Sequence, residues 1–287
     1  MGAGAGIGRG EGRIGWLEQT LGGITGSIEH AVFSERLARL PGGLQALDPR
    51  AKLGMLLVML LAAGLTGSVV VLAAQYAAVL AAARASRIPM VAFLERTWLG
   101  IPLFAGIVVI PSLFLVPGPP LFAVALGPLH LAPSIPGVAG AVLLVARVGV
   151  SVSLAVLLVM TTPWADILKA LRALGVPQLF VLVLSMTYRY IFLFLHTANG
   201  VLLARKSRVV GRAQGPEQRR WIGGTMGNLA GRAFTLSNDV HAAMMARGYT
   251  GEPRTFASYR MRPRDWVALA ATVATSAVAV AAGTFLP

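Results

Sequence analysis

The sequence predicts an all-α polytopic membrane protein with about five transmembrane helices and a helical cytoplasmic domain. Of its 287 residues, 56% are hydrophobic and 13% are charged, whereas a typical soluble domain carries about 25% charged residues. The mean hydropathy is +0.71. Apolar runs of about 20 residues, which are typical of membrane-spanning helices, recur along the chain.

The positive charge of the chain fits a bilayer better than nucleic acid. The 25 Lys and Arg against 11 Asp and Glu give a net charge of +14. On a soluble chain this excess would suggest a nucleic-acid partner. Here much of it lies beside apolar segments, where basic residues mark the cytoplasmic side of a membrane.

The N-terminal segment, residues 1–50, is expected to be cytoplasmic. Its first 30 residues are rich in glycine and lack the apolar core of a cleavable signal peptide, so the chain should insert through its first span. Residues 16–47 could form a short amphipathic helix on the membrane surface. The absence of cysteine excludes thiolate metal sites, disulfides and cysteine nucleophiles.

Residues 51–162 are predicted to form a four-helix transmembrane region. Asp48 can cap a helix that has Pro49 at its first position, and Arg50 and Lys52 then anchor the start of the apolar run. The first two spans, residues 53–65 and 69–83, are joined by a short uncharged turn at residues 66–68.

The third and fourth spans are predicted at residues 99–116 and 137–161. The charged segment 84–98 is assigned to the cytoplasm, and the proline-rich, uncharged segment 117–136 to the outside. The fourth span contains Arg147. The chain thus begins inside and returns to the cytoplasm near residue 162 after four crossings.

Residues 163–264 are predicted to be membrane-proximal and cytoplasmic. The apolar stretch 177–203 is long enough to cross, but the block 205–264 that follows carries a net charge of +9, and one crossing would place that block outside. Arg189, in the middle of the stretch, would cost at least about 2.5 kcal/mol in lipid. We therefore predict that 177–203 does not cross and that 265–287 forms the fifth span.

The sequence offers little material for an enzyme. Its four histidines are scattered, no phosphate-binding loop is present, and the acidic residues mostly flank the apolar runs. We expect no catalytic residue, no bound metal and no ATP site in this chain.

Two arginine-containing segments remain as candidate sites. Arg205 and Arg208 lie three residues apart, on one helical face, and a glycine-marked break at residues 211–216 separates them from a second helix. That helix ends in Arg247, with Gly248 as a helix stop and Gly251 allowing the chain to fold back.

The small residues Ser207 and Ala246 precede Arg208 and Arg247 and would let a partner approach closely, while each guanidinium could fork onto a carboxylate. The alternative is that these are ordinary basic helix ends, hydrated near anionic lipid.

At these residues the chain resembles the transmembrane T component of energy-coupling factor (ECF) transporters of the CbiQ type, which serve cobalt and nickel uptake. The resemblance rests on an ordered set of segments: Leu47–Leu53, Thr161–Pro163 with Leu174–Pro177, Thr187–Tyr190 and Ala246–Gly251. Within them Asp48, Pro49, Arg50, Tyr188 and Arg189 belong to structural motifs, and Tyr249 and Gly251 continue the arginine motif.

The resemblance implies a cytoplasmic coupling domain with two helices, each ending in an X-Arg-X motif that docks into a nucleotide-binding subunit. The second motif corresponds to Ala246-Arg247-Gly248. For the first, Ser207-Arg208-Val209 is preferred and Ala204-Arg205-Lys206 is the alternative.

The implied partners are an ECF ATPase dimer, which holds ATP and Mg²⁺, and a substrate-binding membrane subunit (S component) that captures Co²⁺ or Ni²⁺. A small accessory membrane subunit is a further candidate partner, and the expected location is the bacterial inner membrane. The alternatives are the T component of a vitamin importer and, from another class, a stand-alone membrane carrier with Arg147 and Arg189 as its buried charges.

Overall fold

The computed structural model of the chain describes residues 42–111, 124–126, 129–131, 134–208, 215–251 and 261–285, together with positions 23, 26, 38, 113, 116, 117 and 119. These residues form nine helices and one antiparallel hairpin. In chain order they are α1 (Pro49–Leu65), α2 (Val69–Ala85), α3 (Met90–Trp98), α4 (Ile101–Val109), β1 (Val124–Leu126), β2 (Leu129–Leu131), α5 (Ile135–Thr161), α6 (Trp164–Ala173), α7 (Gln178–Arg208), α8 (Gly215–Ala246) and α9 (Pro263–Phe285).

The all-α prediction is confirmed, with the hairpin of two three-residue strands as a local addition. The surface helix expected over residues 16–47 lies mostly outside the described residues, and residues 43–46 form a turn.

The chain divides into two compact units. The bundle unit, residues 34–175 and 259–287, contains α1 to α6 and α9. The long-helix unit, within residues 176–258, contains α7 and α8. Helix α6 thus belongs with the bundle, whereas the sequence grouped residues 163–264 together; the reason is that α6 packs against α1.

Asp48 closes the N-terminus of α1, as predicted. Its Oδ1 accepts a hydrogen bond from the Arg50 backbone N–H at 2.9 Å, and Pro49 takes the first helical position. Asp265 satisfies two further donors: its Oδ1 accepts from the Asp48 N–H at 3.3 Å and its Oδ2 from the Arg262 N–H at 2.8 Å. This one carboxylate, 1% exposed, therefore ties together the starts of α1 and α9.

Lys52 joins the start of α1 to the end of α5. It is buried, and its Nζ donates to the Thr161 carbonyl at 3.0 Å and to Thr162 Oγ1 at 3.2 Å. A cation at a helix C-terminus is favourable because the last carbonyls lack partners within the helix and carry partial negative charge.

Arg147 makes the opposite connection, from the middle of α5 to the end of α1. Its Nε donates to the Ala63 carbonyl at 3.1 Å and its Nη2 to the Thr66 carbonyl at 2.9 Å. Helix α1 ends beside the middle of α5, and Arg147 supplies donors to its last carbonyls, which have no partner within the helix. We call the Lys52 and Arg147 contacts the reciprocal clasp, because each helix caps the C-terminus of the other.

The core of the bundle unit lies where α1, α2, α3 and α5 meet. Leu72 and Val79 of α2, Phe93 of α3, and Val150 and Met160 of α5 are each at most 2% exposed. Inside a bilayer such a core is held by close packing more than by transfer from water, because lipid tails are as apolar as these side chains.

Helix α9 packs closely on α1 through glycine. A Cβ added at Gly283 would lie 2.9 Å from Thr66 Cγ2, and one at Gly54 would lie 3.3 Å from Leu269 Cδ1. Small residues at these positions let the two helix backbones approach each other, as is common between membrane helices.

By length and composition, the candidate third span begins earlier than the sequence suggested. Residues 84–98 were expected to be a charged connection, but Met90–Trp98 form α3, because Phe93 and Thr97, four residues apart, both become fully buried. Glu95 stays exposed on the other side. Together α3 and α4 give an apolar segment of 20 residues, Met90–Val109.

Four described segments are long and apolar enough to cross a membrane: Met90–Val109, Ile135–Thr161, Gln178–Arg208 and Pro263–Gly283. Helices α1 and α2 have 17 residues each, about 26 Å of helix, and are joined by residues 66–68 as predicted. A polytopic membrane protein is therefore confirmed. That 177–203 does not cross stays a prediction.

Candidate functional site

The long-helix unit carries both arginine segments. Helix α7 has 31 residues and α8 has 32. The apolar stretch 177–203 and the basic segment after it form one continuous helix. Helix α7 ends at Arg208 and α8 begins at Gly215, so the two helices flank the break that the glycines predicted.

The C-terminus of α8 is closed by a glycine turn. The Gly248 N–H donates to the Met245 carbonyl at 3.0 Å, and the Tyr249 N–H donates to the Met244 carbonyl at 3.1 Å. Gly248 has φ +77°, the left-handed conformation that this turn requires. The predicted helix stop at Gly248 is confirmed, and Arg247 occupies the last position before the turn.

The turn leaves the second arginine motif accessible. Ala246, Arg247 and Gly248 are all exposed, and the chain then bends again at Gly251, where φ is +95° and the carbonyl accepts from Tyr249 Oη at 3.0 Å. Arg247 therefore presents its guanidinium at the exposed end of a helix, and this planar group can bind a carboxylate through two hydrogen bonds.

The C-terminus of α7 treats its two arginines differently. Arg205 is 9% exposed, and its guanidinium carbon lies 3.9 Å from the centre of the Trp221 ring of α8. Arg208 is exposed, as is Ser207, whose Oγ donates to the Ala204 carbonyl at 3.0 Å. Of the two possible registers of the first motif, Ser207-Arg208 is thus the accessible one.

The structure does not bring the two exposed arginines together. Arg205 on Trp221 places the end of α7 beside the start of α8, whereas Arg247 follows the end of α8. About 37 Å of helix separates Trp221 from Ala246. The long-helix unit therefore offers two separate guanidinium groups and no shared pocket for them.

The remaining motif residues of α7 lie in its middle. The Tyr188 ring packs edge-on against Phe192, with centroids 5.1 Å apart. Arg189 is exposed. The bundle-unit motif residues Asp48, Pro49 and Arg50 form the start of α1 described above, where Arg50 is exposed.

Helices α7 and α8 also expose a large apolar surface. Two grooves of about 610 and 570 Å³ lie between them and share Thr187, Tyr190, Phe194 and Ala233. Large apolar side chains such as Phe180 are exposed on the same helices. Exposed apolar area on this scale marks a contact with protein or lipid.

No group of three or more His, Cys, Asp or Glu that could bind a metal occurs in the described part of the chain. Sequence reasoning missed three contacts that the structure shows: Arg205 with Trp221, Lys52 with the end of α5, and Arg147 with the end of α1. Nothing in the sequence around Trp221 indicates that it packs on Arg205. Lys52 was interpreted only as a membrane anchor. The acceptors of Arg147 lie more than 80 residues away from it in the chain.

Comparison with known proteins gives consistent matches. Residues 43–257 match the family model of CbiQ, described as cobalt transport protein. The chain is 32% identical to the uncharacterized protein MJ1571 of Methanocaldococcus jannaschii over 82% of this chain and 81% of that protein. It is 32% identical to the cobalt transport protein CbiQ of Rhodobacter capsulatus over 58% and 70% of the respective chains. It is 31% identical to the nickel permease LarQ of Lactiplantibacillus plantarum over 40% and 41%.

Proposed function

Because the chain belongs to the CbiQ family of cobalt transport proteins, we propose that it is the transmembrane coupling subunit of an ATP-driven importer for cobalt or nickel ions. ATP and Mg²⁺ bind to a partner ATPase dimer, and a separate membrane subunit captures the metal ion. Relatives named for cobalt and for nickel both match the chain, so the cargo is proposed as either of these two divalent ions.

One observation carries this proposal: α7 and α8 each end in an exposed arginine. Arg208 and Arg247 both stand at helix C-termini after a small residue, and about 37 Å of α8 lies between the two ends. Two ATPase subunits offer two equivalent grooves. Each arginine would bind in one groove. The two helices would then move together when the ATPase dimer opens and closes.

The apolar surface of α7 and α8 supports the second partner. The two grooves at Tyr190, Phe194 and Ala233 are lined mainly by apolar side chains. A membrane-embedded substrate subunit would cover this surface. Nucleotide binding would close the ATPase pair, shift the arginine-bearing helix ends, and move the substrate subunit through the contacts along the helices.

Arg208→Ala and Arg247→Ala test the proposal. Loss of an arginine whose acidic partner stays buried costs about 2–5 kcal/mol at an interface, so each change should weaken assembly by tens-fold or more. Arg→Lys should also impair assembly, because an ammonium keeps the charge but loses the planar fork. The measurements are recovery of the complex with the ATPase and uptake of radiolabelled cobalt and nickel.

Arg219→Ala and Arg220→Ala are the matched controls. Both are exposed arginines near the start of α8 and should change neither recovery nor uptake. Full assembly and uptake with Arg247→Ala would remove the coupling role from that motif. Vitamin uptake with no metal uptake would identify a different cargo, and uptake without any ATPase would identify a stand-alone carrier.

A further inference from the structure

Gln75 and Thr97 are polar side chains inside the apolar core of the bundle unit. Gln75, in the middle of α2, is 7% exposed, and Thr97, near the end of α3, is fully buried. Gln75 Oε1, Gln75 Nε2 and Thr97 Oγ1 have no hydrogen-bond partner within the described part of the chain. Buried polar groups are almost always hydrogen-bonded, because leaving one unpaired costs free energy. These three atoms therefore need a partner other than the described protein groups.

The Thr97 hydroxyl differs from the other threonine hydroxyls of the bundle unit. Those with described side chains all make a hydrogen bond; they are Thr66, Thr161, Thr162, Thr272 and Thr275. All but Thr162 donate to a carbonyl one turn back in their own helix, as buried helical threonines commonly do. For Thr97 that acceptor would be the Phe93 carbonyl, and no such bond is present. The Thr97 hydroxyl is therefore available to a partner outside its own helix.

Gln75 and Thr97 lie at the same level of the bundle. Helix α3 runs back along α2 after a connection of only four residues, 86–89. Trp98, which follows Thr97, donates from Nε1 to Oη of Tyr76, which follows Gln75, at 2.8 Å. The two rings meet edge-on, with centroids 6.1 Å apart. This contact places the end of α3 beside the middle of α2.

Both side chains also face the core that α2 and α3 share with α5. Val79 of α2, Phe93 of α3 and Val150 of α5 belong to one buried cluster. Gln75 lies four residues before Val79, on the same side of α2. Thr97 lies four residues after Phe93, on the same side of α3. Because the two helices are antiparallel, both steps go in the same direction, and the amide and the hydroxyl reach the same part of the core.

The three unpaired atoms match the hydrogen-bonding capacity of water. The Gln75 amide donates through Nε2 and accepts at Oε1, and the Thr97 hydroxyl can do either. Water also donates and accepts, and a buried water typically makes about three hydrogen bonds to groups of this kind. An ion fits less well, because the three atoms carry no formal charge and would not offset the loss of its hydration shell.

We infer that one water molecule binds between α2 and α3, hydrogen-bonded to the Gln75 amide and the Thr97 hydroxyl. The water joins the two helices inside the bundle, beside the exposed bond from Trp98 to Tyr76. A shift of α3 by one residue would turn Thr97 away by about 100° and break this link. The site therefore fixes the register of α3 against α2.

The first test is thermal unfolding of the full chain in detergent, with Thr97→Val, Gln75→Met and the double variant. Both changes keep the approximate shape of the side chain and remove its polar atoms. Each single change should lower the midpoint by about 2–4 °C, because the water and the remaining polar group lose a partner. The double variant should lose less than the sum of the two single shifts, since the groups share one water.

Thr275→Val is the matched control. Thr275 is an exposed threonine whose hydroxyl bonds only to carbonyls of its own helix, so this change should leave the midpoint unchanged. Higher midpoints for both single variants would mean that unhydrated polar groups had been removed, and would overturn the inference. Additive shifts in the double variant would overturn it as well.

The second test is a structure of the full chain in lipid nanodiscs at a resolution that shows ordered water. A density peak within hydrogen-bond distance of Gln75 and Thr97, absent from the double variant, would support the site. A direct hydrogen bond between the two side chains with no such peak would overturn it. The density of the wild type decides the matter even if a variant fails to fold.

Discussion

At the scale of single residues, the two arginines at the end of α7 have different environments. They lie three residues apart in the same basic segment. Arg205 lies over Trp221 and is buried, with its Nη1 lacking a hydrogen-bond partner in the structure, while Arg208 is exposed. A desolvated cation over an indole is stabilising by about 2 kcal/mol. We therefore expect Arg205 to hold α7 to α8 and Arg208 to meet the partner.

Arg205→Ala should lower the thermal stability of the isolated subunit, and Trp221→Leu should do the same because it removes the other half of the stack. The double variant should cost less than the sum of the two single changes, since the residues are in contact. Arg208→Ala should leave thermal stability unchanged and reduce ATPase binding. Unfolding followed by tryptophan fluorescence or calorimetry, with ATPase recovery measured in parallel, separates the two roles. If Arg205→Ala lost ATPase binding while its thermal stability stayed unchanged, Arg205 would be the residue that contacts the ATPase.

At the scale of elements, α9 packs closely against the end of α1. Gly283 stands opposite Thr66, which is 1% exposed and whose Oγ1 already donates to the Ala62 carbonyl at 2.8 Å. Thr66 therefore has little freedom to move aside. The Thr66 carbonyl also accepts from Arg147, so a displaced Thr66 would disturb the reciprocal clasp as well.

Gly283→Leu should destabilise the bundle by about 1–3 kcal/mol, the usual cost of overpacking a well-filled contact. Gly140→Leu is the control, because Gly140 of α5 is exposed and a Cβ there meets nothing within 4 Å. The measurement is the midpoint of thermal unfolding in detergent. Equal midpoints for the two variants would show that the α1–α9 contact tolerates a side chain and that glycine is not required there.

At the scale of the whole molecule, the sequence predicts which side of the membrane each loop occupies, and this orientation can be tested. With 177–203 on the cytoplasmic face, Thr250 lies inside and Gly67, in the α1–α2 turn, lies outside. The chain contains no cysteine, so Thr250→Cys and Gly67→Cys can each be introduced alone. An impermeant thiol reagent added to intact cells should label the cysteine at 67 and spare the one at 250. Labelling at position 250 from outside would mean that α7 crosses the bilayer.

Much of the fold could be predicted from the sequence because it depends on local signals. Asp48 and Pro49 start α1, and Gly248 stops α8, through contacts within a few residues. The start of α3 was not predicted because the charged residues in this segment indicate a connection, and its apolar face is evident only from the burial of Phe93 in the structure. The partners of Arg147 and the stacking of Arg205 on Trp221 depend on residues distant in the chain, and no local pattern encodes such pairs.

The reciprocal clasp also bears on how the chain is made. The last carbonyls of α1 receive their donors from Arg147, more than 80 residues later, and in a bilayer unsatisfied carbonyls are costly. While the ribosome synthesises the protein, the end of α1 lacks these two hydrogen bonds until α5 has been made. We therefore expect the first helix to gain its full stability only after the fifth has been synthesised and packed against it.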